Sequence, residues 1–227
     1  MHVAIILDGN RRWAKKKGLH PWVGHDAGLR TLRKIIKSAY NLGIKELTVY
    51  VFSAQNMDRS PAEIKKLFSL MKSNCDEMLK DKTIKEKKVR VRFIGNKKIF
   101  PKDLQEAMDK VEKATEKHND YFLNFAAGYG GREELTEAVK KIAEQVKQGK
   151  INPNDISQEM VTENLWLKSE PDIVIRTGGE MRTSNYLPWQ AIYSEWFFLK
   201  KMWPDFTEND LKDVLNAFKD RERRFGK

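Results

Sequence analysis

His2-Val3-Ala4-Ile5-Ile6-Leu7-Asp8-Gly9-Asn10-Arg11-Arg12-Trp13 (residues 2–13) is the stretch that decides the fold. Residues 3–7 are a short apolar, β-branched run, and Asp8-Gly9-Asn10 ends it with turn chemistry. Working outward, strand and helix signals alternate to the far end of the chain. Strands are predicted over 46–52, 89–94, 121–127, 172–176 and 192–199. Helices are predicted over 26–42, 61–80, 101–118, 132–148, 157–165 and 207–223, with Pro61 and Pro101 at two starts and Thr207 as an N-cap. Residues 89–94 (VRVRFI) alternate with period two, which predicts an edge strand or one wet face. Strand–helix alternation predicts the α/β class, with a central, mostly parallel sheet flanked by helices. No repeat, linker or low-complexity tract interrupts residues 1–227, so one domain is expected.

Composition narrows the function. The 227 residues are 40% hydrophobic and 33% charged, with a formal net charge of +11. That charge fits a nucleic acid, an anionic membrane surface or a phosphorylated substrate. Many lysines sit in runs mixed with glutamate, such as KIAEQVKQGK and DKTIKEKK, and read as solvated faces. No basic stretch is interleaved with stacking aromatics, so no nucleic-acid partner is expected. No apolar run reaches the ~18–20 residues of a spanning helix. The start lacks the basic residue and long apolar run of a secretory signal. The single cysteine, Cys75, excludes an internal disulfide and cysteine-rich metal sites, and a cytoplasmic location is expected.

Ligands of a parallel sheet gather beyond the carboxyl ends of its strands. There the chain places DGNRR (8–12), SAQNMDR (53–59), GYGGR (128–132) and RTGGEMRTSN (176–185). Glycine lets backbone N–H groups approach an anion, and arginine offers a planar fork to phosphate oxygens. Such loops read either as diphosphate pockets or as plain turns with surface arginines. Asp8, directly after a strand, reads as a magnesium ligand or as an N-cap. His25 reads as a phosphate-orienting group, a base or a structural residue at a helix start. No GxxxxGK[ST] or GxGxxG motif is present, and Ser53, Ser184 and Ser194 lack a GxSxG elbow. Ile64, Leu67, Phe68, Met71 and Met78, with Val49 and Val51 on the adjoining strand, read as core or as the lining of an apolar tunnel.

Taken in order, HVAIILDGNRRWA, GHDAG, FSAQN, GYGGREEL, PDIVIRTGGEMRTSNYLPWQ, YSEWFF, WPDF and RERRFG resemble the cis-prenyltransferase family from residue 2 to residue 226. The resemblance implies a parallel-sheet α/β domain with a hydrophobic tunnel. It implies Mg²⁺-dependent condensation of isopentenyl diphosphate with an allylic prenyl diphosphate primer, as in the synthesis of polyprenyl glycosyl-carrier lipids. Asp8 would hold Mg²⁺, assisted by Glu195, and help the primer diphosphate depart. Gly9, Asn10, Arg11 and Arg12 would cradle that diphosphate, with Trp13 and His25 near the primer. Ser53, Asn56 and Arg59 would position isopentenyl diphosphate and shuttle its proton. Arg176, Arg182 and Ser184 would bind its diphosphate, supported by Glu180, and Arg224 and Gly226 would reach the same phosphates across a dimer.

The chain departs from the family pattern at Pro21, Gln55, Met57, Gly128 and Pro188. The family also includes enzymes of irregular, non-head-to-tail condensation and subunits that work beside a related partner, and these stand as alternatives. Peripheral membrane contact and a homodimer or heteromer are further expectations. Val51, bulkier than the alanine common there, implies a short or medium product.

Overall fold

The computed structural model describes residues 1–221, and Arg224 and Gly226 lie outside the described residues. Six strands form one sheet in the order β3-β4-β2-β1-β5-β6, and every pairing is parallel. They are β1 (His2–Ile6), β2 (Glu46–Ser53), β3 (Val89–Ile94), β4 (Tyr121–Tyr129), β5 (Ile173–Arg176) and β6 (Glu195–Phe198). The helices are α1 (Asn10–Lys16), α2 (Pro21–Asn41), α3 (Pro61–Met78), α4 (Lys82–Glu86), α5 (Lys102–Thr115), α6 (Gly131–Lys147), α7 (Gln158–Asn164) and α8 (Glu208–Lys219).

β1 lies in the middle of the sheet and is buried along its whole length, which is why it reads as an unbroken apolar run. Its alternate residues feed two cores. Val3 and Ile5 join Leu47, Val49, Leu123 and Phe125 beneath α2, α5 and α8. Ala4 and Ile6 join a smaller cluster with Tyr50, Tyr129, Tyr186 and Leu187 on the other face. Its Tyr50 and Tyr186 rings stack at 4.6 Å, with Tyr129 edge-on to both. β3 is an edge strand, and Arg90 and Arg92 alternate with buried Val89, Val91 and Phe93, as its period-two pattern predicts. Among the described residues no helix is long and apolar enough to cross a membrane.

The structure corrects several boundaries. α1 occupies residues that read as loop, because Gly9 (φ 109°) turns the chain sharply into a helix only seven residues long. α2 starts at Pro21, five residues earlier than predicted. Gly24 and Gly28 are contact points on it: a Cβ would lie 2.0 Å from the Asn10 carbonyl oxygen or 2.2 Å from Asn10 Oδ1. β6 holds four residues, because Gln190–Tyr193 form a turn before it. β4 runs on through Gly128 and Tyr129, which removes both from the predicted fourth loop.

Candidate active site

Asp8 stands just past the carboxyl end of β1 and is gripped from two sides. Arg176, at the end of β5, donates to Oδ2 (2.9 Å), and Arg12, one turn into α1, donates to Oδ1 (3.1 Å). Burial pushes the Asp8 carboxyl up, but the hydrogen bond from Arg176 and the charge of Arg12 outweigh it and hold it below its ordinary value. Arg12 also donates to Glu180 (3.0 Å), which accepts from Arg182 (2.6 Å). Arg176 is only 4% exposed and donates further to the Ser184 hydroxyl (2.7 Å) and the Arg182 carbonyl.

Gly178 (φ 88°) makes this cluster possible, since a Cβ there would stand 2.7 Å from the Arg12 guanidinium. Its role differs from the sequence expectation that the glycines present backbone donors to an anion. The Gly178 and Gly179 amides donate to the Lys201 and Leu199 carbonyls, each at 2.8 Å, so arginine side chains supply the donors.

A second hub is Glu63 on α3, a residue the sequence reading missed. Its carboxylate accepts from Arg59 (3.0 Å), contacts the His25 ring (3.2 Å) and lies 3.7 Å from the Arg11 guanidinium. Glu63 stands three residues after the Ser60 N-cap, where an acidic residue is ordinary helix-start chemistry, and so its inward turn left no signal. Burial lowers the His25 pKa more than the hydrogen bond to Glu63 raises it. Ser53 and Asn56 lock each other: the Ser53 amide donates to Asn56 Oδ1, and the Ser53 hydroxyl accepts from the Asn56 amide.

These groups open on a cavity of about 680 Å³ between the sheet, α2 and α3. Asp8, Asn10, Ser53, Asn56, Arg176 and Ser184 make its polar mouth, with His25, Arg59 and Arg182 beside them. Its depth is apolar, lined by Leu29, Leu32, Val51, Leu67 and Met71, with Phe93 and Phe125 stacked at 5.3 Å. A second hollow of about 660 Å³ adjoins it and carries Gly9, Arg11, Arg12 and Lys15. Of the two readings of helix 61–80, tunnel lining holds for Leu67 and Met71 and core for buried Met78 and for Phe68, whose ring packs on Phe52 and Phe100, while Ile64 faces an outer groove.

Three sequence expectations change here. Trp13 lines neither hollow; its indole donates to Asp205 (2.7 Å) and ties α1 to the turn after β6. Glu195 begins β6, paired in register with Ile173, at the end of the sheet away from Asp8, and it binds Arg221 (2.6 Å). Within one chain, therefore, Glu195 and Asp8 do not share an ion. The corner after β4 does not line the cavity either. It grips the 183–188 turn instead: Gly131 N–H donates to the Asn185 carbonyl (2.8 Å), and Arg132 N–H to Asn185 Oδ1 (2.9 Å). Beneath it the fully buried Glu134 accepts from Tyr129, Gln190 and the amides of Trp166 and Leu167.

Chemically, the mouth offers fixed guanidinium charge and a carboxylate kept ionised, directly above an apolar channel. That suits a molecule with a highly anionic head and a long hydrocarbon tail. The chain matches the family model described as putative undecaprenyl diphosphate synthase over residues 6–226. It is 46% identical to a tritrans,polycis-undecaprenyl-diphosphate synthase (geranylgeranyl-diphosphate specific) of Pyrococcus abyssi, covering 100% of this chain and 86% of the relative. The solved lavandulyl diphosphate synthase of Lavandula x intermedia, in complex with dimethylallyl diphosphate, superposes with a TM-score of 0.96 at 36% identity, covering 100% and 98% of the two chains. A probable undecaprenyl diphosphate synthase from Campylobacter jejuni gives 0.83 at 30%, with the same coverage.

Proposed function

The chain belongs to the undecaprenyl diphosphate synthase family and is a prenyltransferase, and from that premise we propose how its site works: it condenses isopentenyl diphosphate with an allylic prenyl diphosphate and draws the growing chain into the cavity. The observation that carries this is the continuity of one hollow, from the Asp8–Arg176 pair at its mouth to the Phe93–Phe125 stack.

In the reaction the allylic C–O bond breaks and the double bond of isopentenyl diphosphate forms the new C–C bond. A proton is then lost from the adduct. Arg11 and Arg12 bind the primer diphosphate, while Arg176, Arg182 and Ser184 hold that of isopentenyl diphosphate. Such preorganised donors stabilise charge where it develops, without reorganisation. The Ser53–Asn56 loop orients the second substrate beside the primer and relays the proton lost from the adduct to the departed diphosphate, the base that the reaction itself supplies. The apolar walls exclude water from the allylic cation.

Asp8 fits a magnesium site. Each of its carboxylate oxygens accepts one guanidinium bond, which leaves lone pairs for a cation. Among the described residues no cluster of three acidic, His or Cys groups forms a ready-made cage, and magnesium binds through one or two carboxylates plus substrate phosphates. Bound there, Mg²⁺ would neutralise charge on the departing diphosphate.

The active unit is a homodimer in this reading. β6 ends the sheet, and Ile192 and Tyr193 before it are 69% and 59% exposed, an apolar edge that a second copy would cover. The enzyme also contacts an anionic membrane surface. Residues 9–25 contain no acidic side chain, and the exposed stretch from the end of α1 to the start of α2 sets Lys15, Lys16 and Lys17 close in sequence to Leu19 and Trp22. The irregular-condensation reading has one observation on its side, the likeness to the lavandulyl enzyme. Incubation with Mg²⁺, radiolabelled isopentenyl diphosphate and geranylgeranyl diphosphate, followed by reversed-phase separation, tests the proposal. A ladder of prenyl diphosphates is expected. No incorporation with any allylic primer would overturn it, and a single branched product would favour the irregular alternative.

A further inference from the structure

The groups that face the second diphosphate hang on a backbone held in an unfavourable shape. Ser184 (φ 51°), Asn185 (φ 60°) and Leu187 (φ 50°) all adopt left-handed conformations, although none is glycine. Ser184 is the residue whose hydroxyl accepts from Arg176. A relaxation of this turn toward negative φ would carry that hydroxyl away from the guanidinium.

We propose that the first turn of α6 is a clasp that holds Asn185 in its left-handed state, with Glu133 and Asn185 as positioning residues for the Arg176–Ser184 pocket. Two of its three bonds come from the backbone amides of Gly131 and Arg132. The third runs from Asn185 Nδ2 to Glu133 Oε2 (3.0 Å), and a substitution can remove it. Glu133 folds back over Gly130, where a Cβ would lie 2.0 Å from that oxygen. Its other oxygen lies 3.5 Å from Gln55 Nε2, on the loop that carries Ser53 and Asn56. One carboxylate therefore spans both walls of the pocket, and the neutral amide at position 55 allows it: a glutamate there would face Glu133 with like charge. Tyr186, buried against Tyr50, and Pro188, packed on Gly131, anchor the far side of the turn.

The inference rests on reading Arg176 and Ser184 as diphosphate ligands, and the experiment separates the two. Wild type, Glu133→Ala, Glu133→Gln, Asn185→Asp and the double variant Asn185→Asp/Glu133→Gln are compared. The readouts are steady-state kinetics, with isopentenyl diphosphate varied at saturating geranylgeranyl diphosphate, and calorimetric titration with inorganic pyrophosphate. Glu133→Ala should raise the KM for isopentenyl diphosphate and the Kd for pyrophosphate about tenfold, the scale of a lost hydrogen bond to a charged group, with the KM for the allylic primer unchanged. Glu133→Gln keeps the acceptor and should restore wild-type values. Asn185→Asp sets two carboxylates together and should match Glu133→Ala, and the double variant, which re-creates a donor–acceptor pair in reverse, should recover. A wild-type KM and Kd in Glu133→Ala, an equal rise in both substrate KM values, or no recovery in the double variant would each overturn the clasp. Failure of the wild type to bind pyrophosphate or to elongate any primer would overturn the function on which it rests, and the clasp with it.

Discussion

Arg176 donates to Asp8 at 2.9 Å across the seam between β1 and β5, and this pair joins two chain segments 168 residues apart. Both partners are committed before any substrate arrives. Asp8→Ala should lower kcat about 10²–10³-fold, the scale of one preorganised electrostatic group. It should also lower the melting temperature, because it strands the buried Arg176 charge. Turnover and thermal unfolding measured on the same preparation check both effects. Full activity in Asp8→Ala would remove Asp8 from the chemistry.

The pH dependence of stability should carry a histidine signature. His25 and His2 both have pKa values lowered by burial. Below about pH 6.5 the unfolded imidazoles take up protons while the folded ones resist until lower pH. The unfolded state then binds more protons, so stability falls as pH falls from about 6.5 toward the depressed folded values. His25→Gln should flatten part of that decline. Urea titrations at pH 7.5 and 5.0 measure it, and an identical pH response in variant and wild type would contradict it.

Glu134 should be among the most costly side chains to truncate. It is 1% exposed and accepts four hydrogen bonds that fasten β4, the segment before β5 and the turn before β6. Glu134→Ala strands those donors at once and should cost about 3–5 kcal/mol, the scale found when a buried network is broken. The urea midpoint reports the loss.

Product length should follow the depth of the cavity. Val51→Ala removes two methyl groups from the wall, and Phe125→Leu shortens the stack facing Phe93. Both should shift products by one or more isoprene units toward longer chains, read by mass spectrometry. An unchanged distribution in both variants would place the length control elsewhere.

Membrane contact should depend on the exposed stretch from the end of α1 to the start of α2. With vesicles of 70% phosphatidylcholine and 30% phosphatidylglycerol, Lys16→Ala should weaken co-sedimentation about fivefold, since each lysine near an anionic surface is worth about 1 kcal/mol. Trp22→Ser should weaken it as well, and added salt should weaken every form. Equal binding to pure phosphatidylcholine would defeat the expectation.

The sheet and most helices were legible because hydrophobic periodicity and strand-end punctuation repeat along the chain. Asp8, Asn56, Arg176 and Ser184 meet at one cavity mouth, where both their strand-end loops and the resemblance of their motifs to a family placed them. What the sequence hid was mostly tertiary. Gly24 lay outside the predicted helix and Gly28 inside it, and neither position shows in sequence that it is where α2 meets α1. Glu63 and Glu133 sit at helix starts, where acidic residues suit the dipole and raise no suspicion. The GYGGR corner looked like a fourth anion loop because glycine and arginine mark such loops, yet its amides serve Asn185. Glu195 faces the wrong end of the sheet for Asp8, a fact set by strand register that no local pattern encodes.

The central place of β1 also governs how the chain can assemble. Its partners in the sheet are β2 on one side and β5 on the other, and β5 lies about 170 residues later. Until that distant segment emerges from the ribosome, one edge of the innermost strand stays open. Nascent intermediates therefore carry a sticky, half-made sheet, the kind of species that aggregates or engages chaperones. Poor yields on heterologous expression would then be a matter of waiting time during synthesis, better treated by slower translation or lower temperature than by surface redesign.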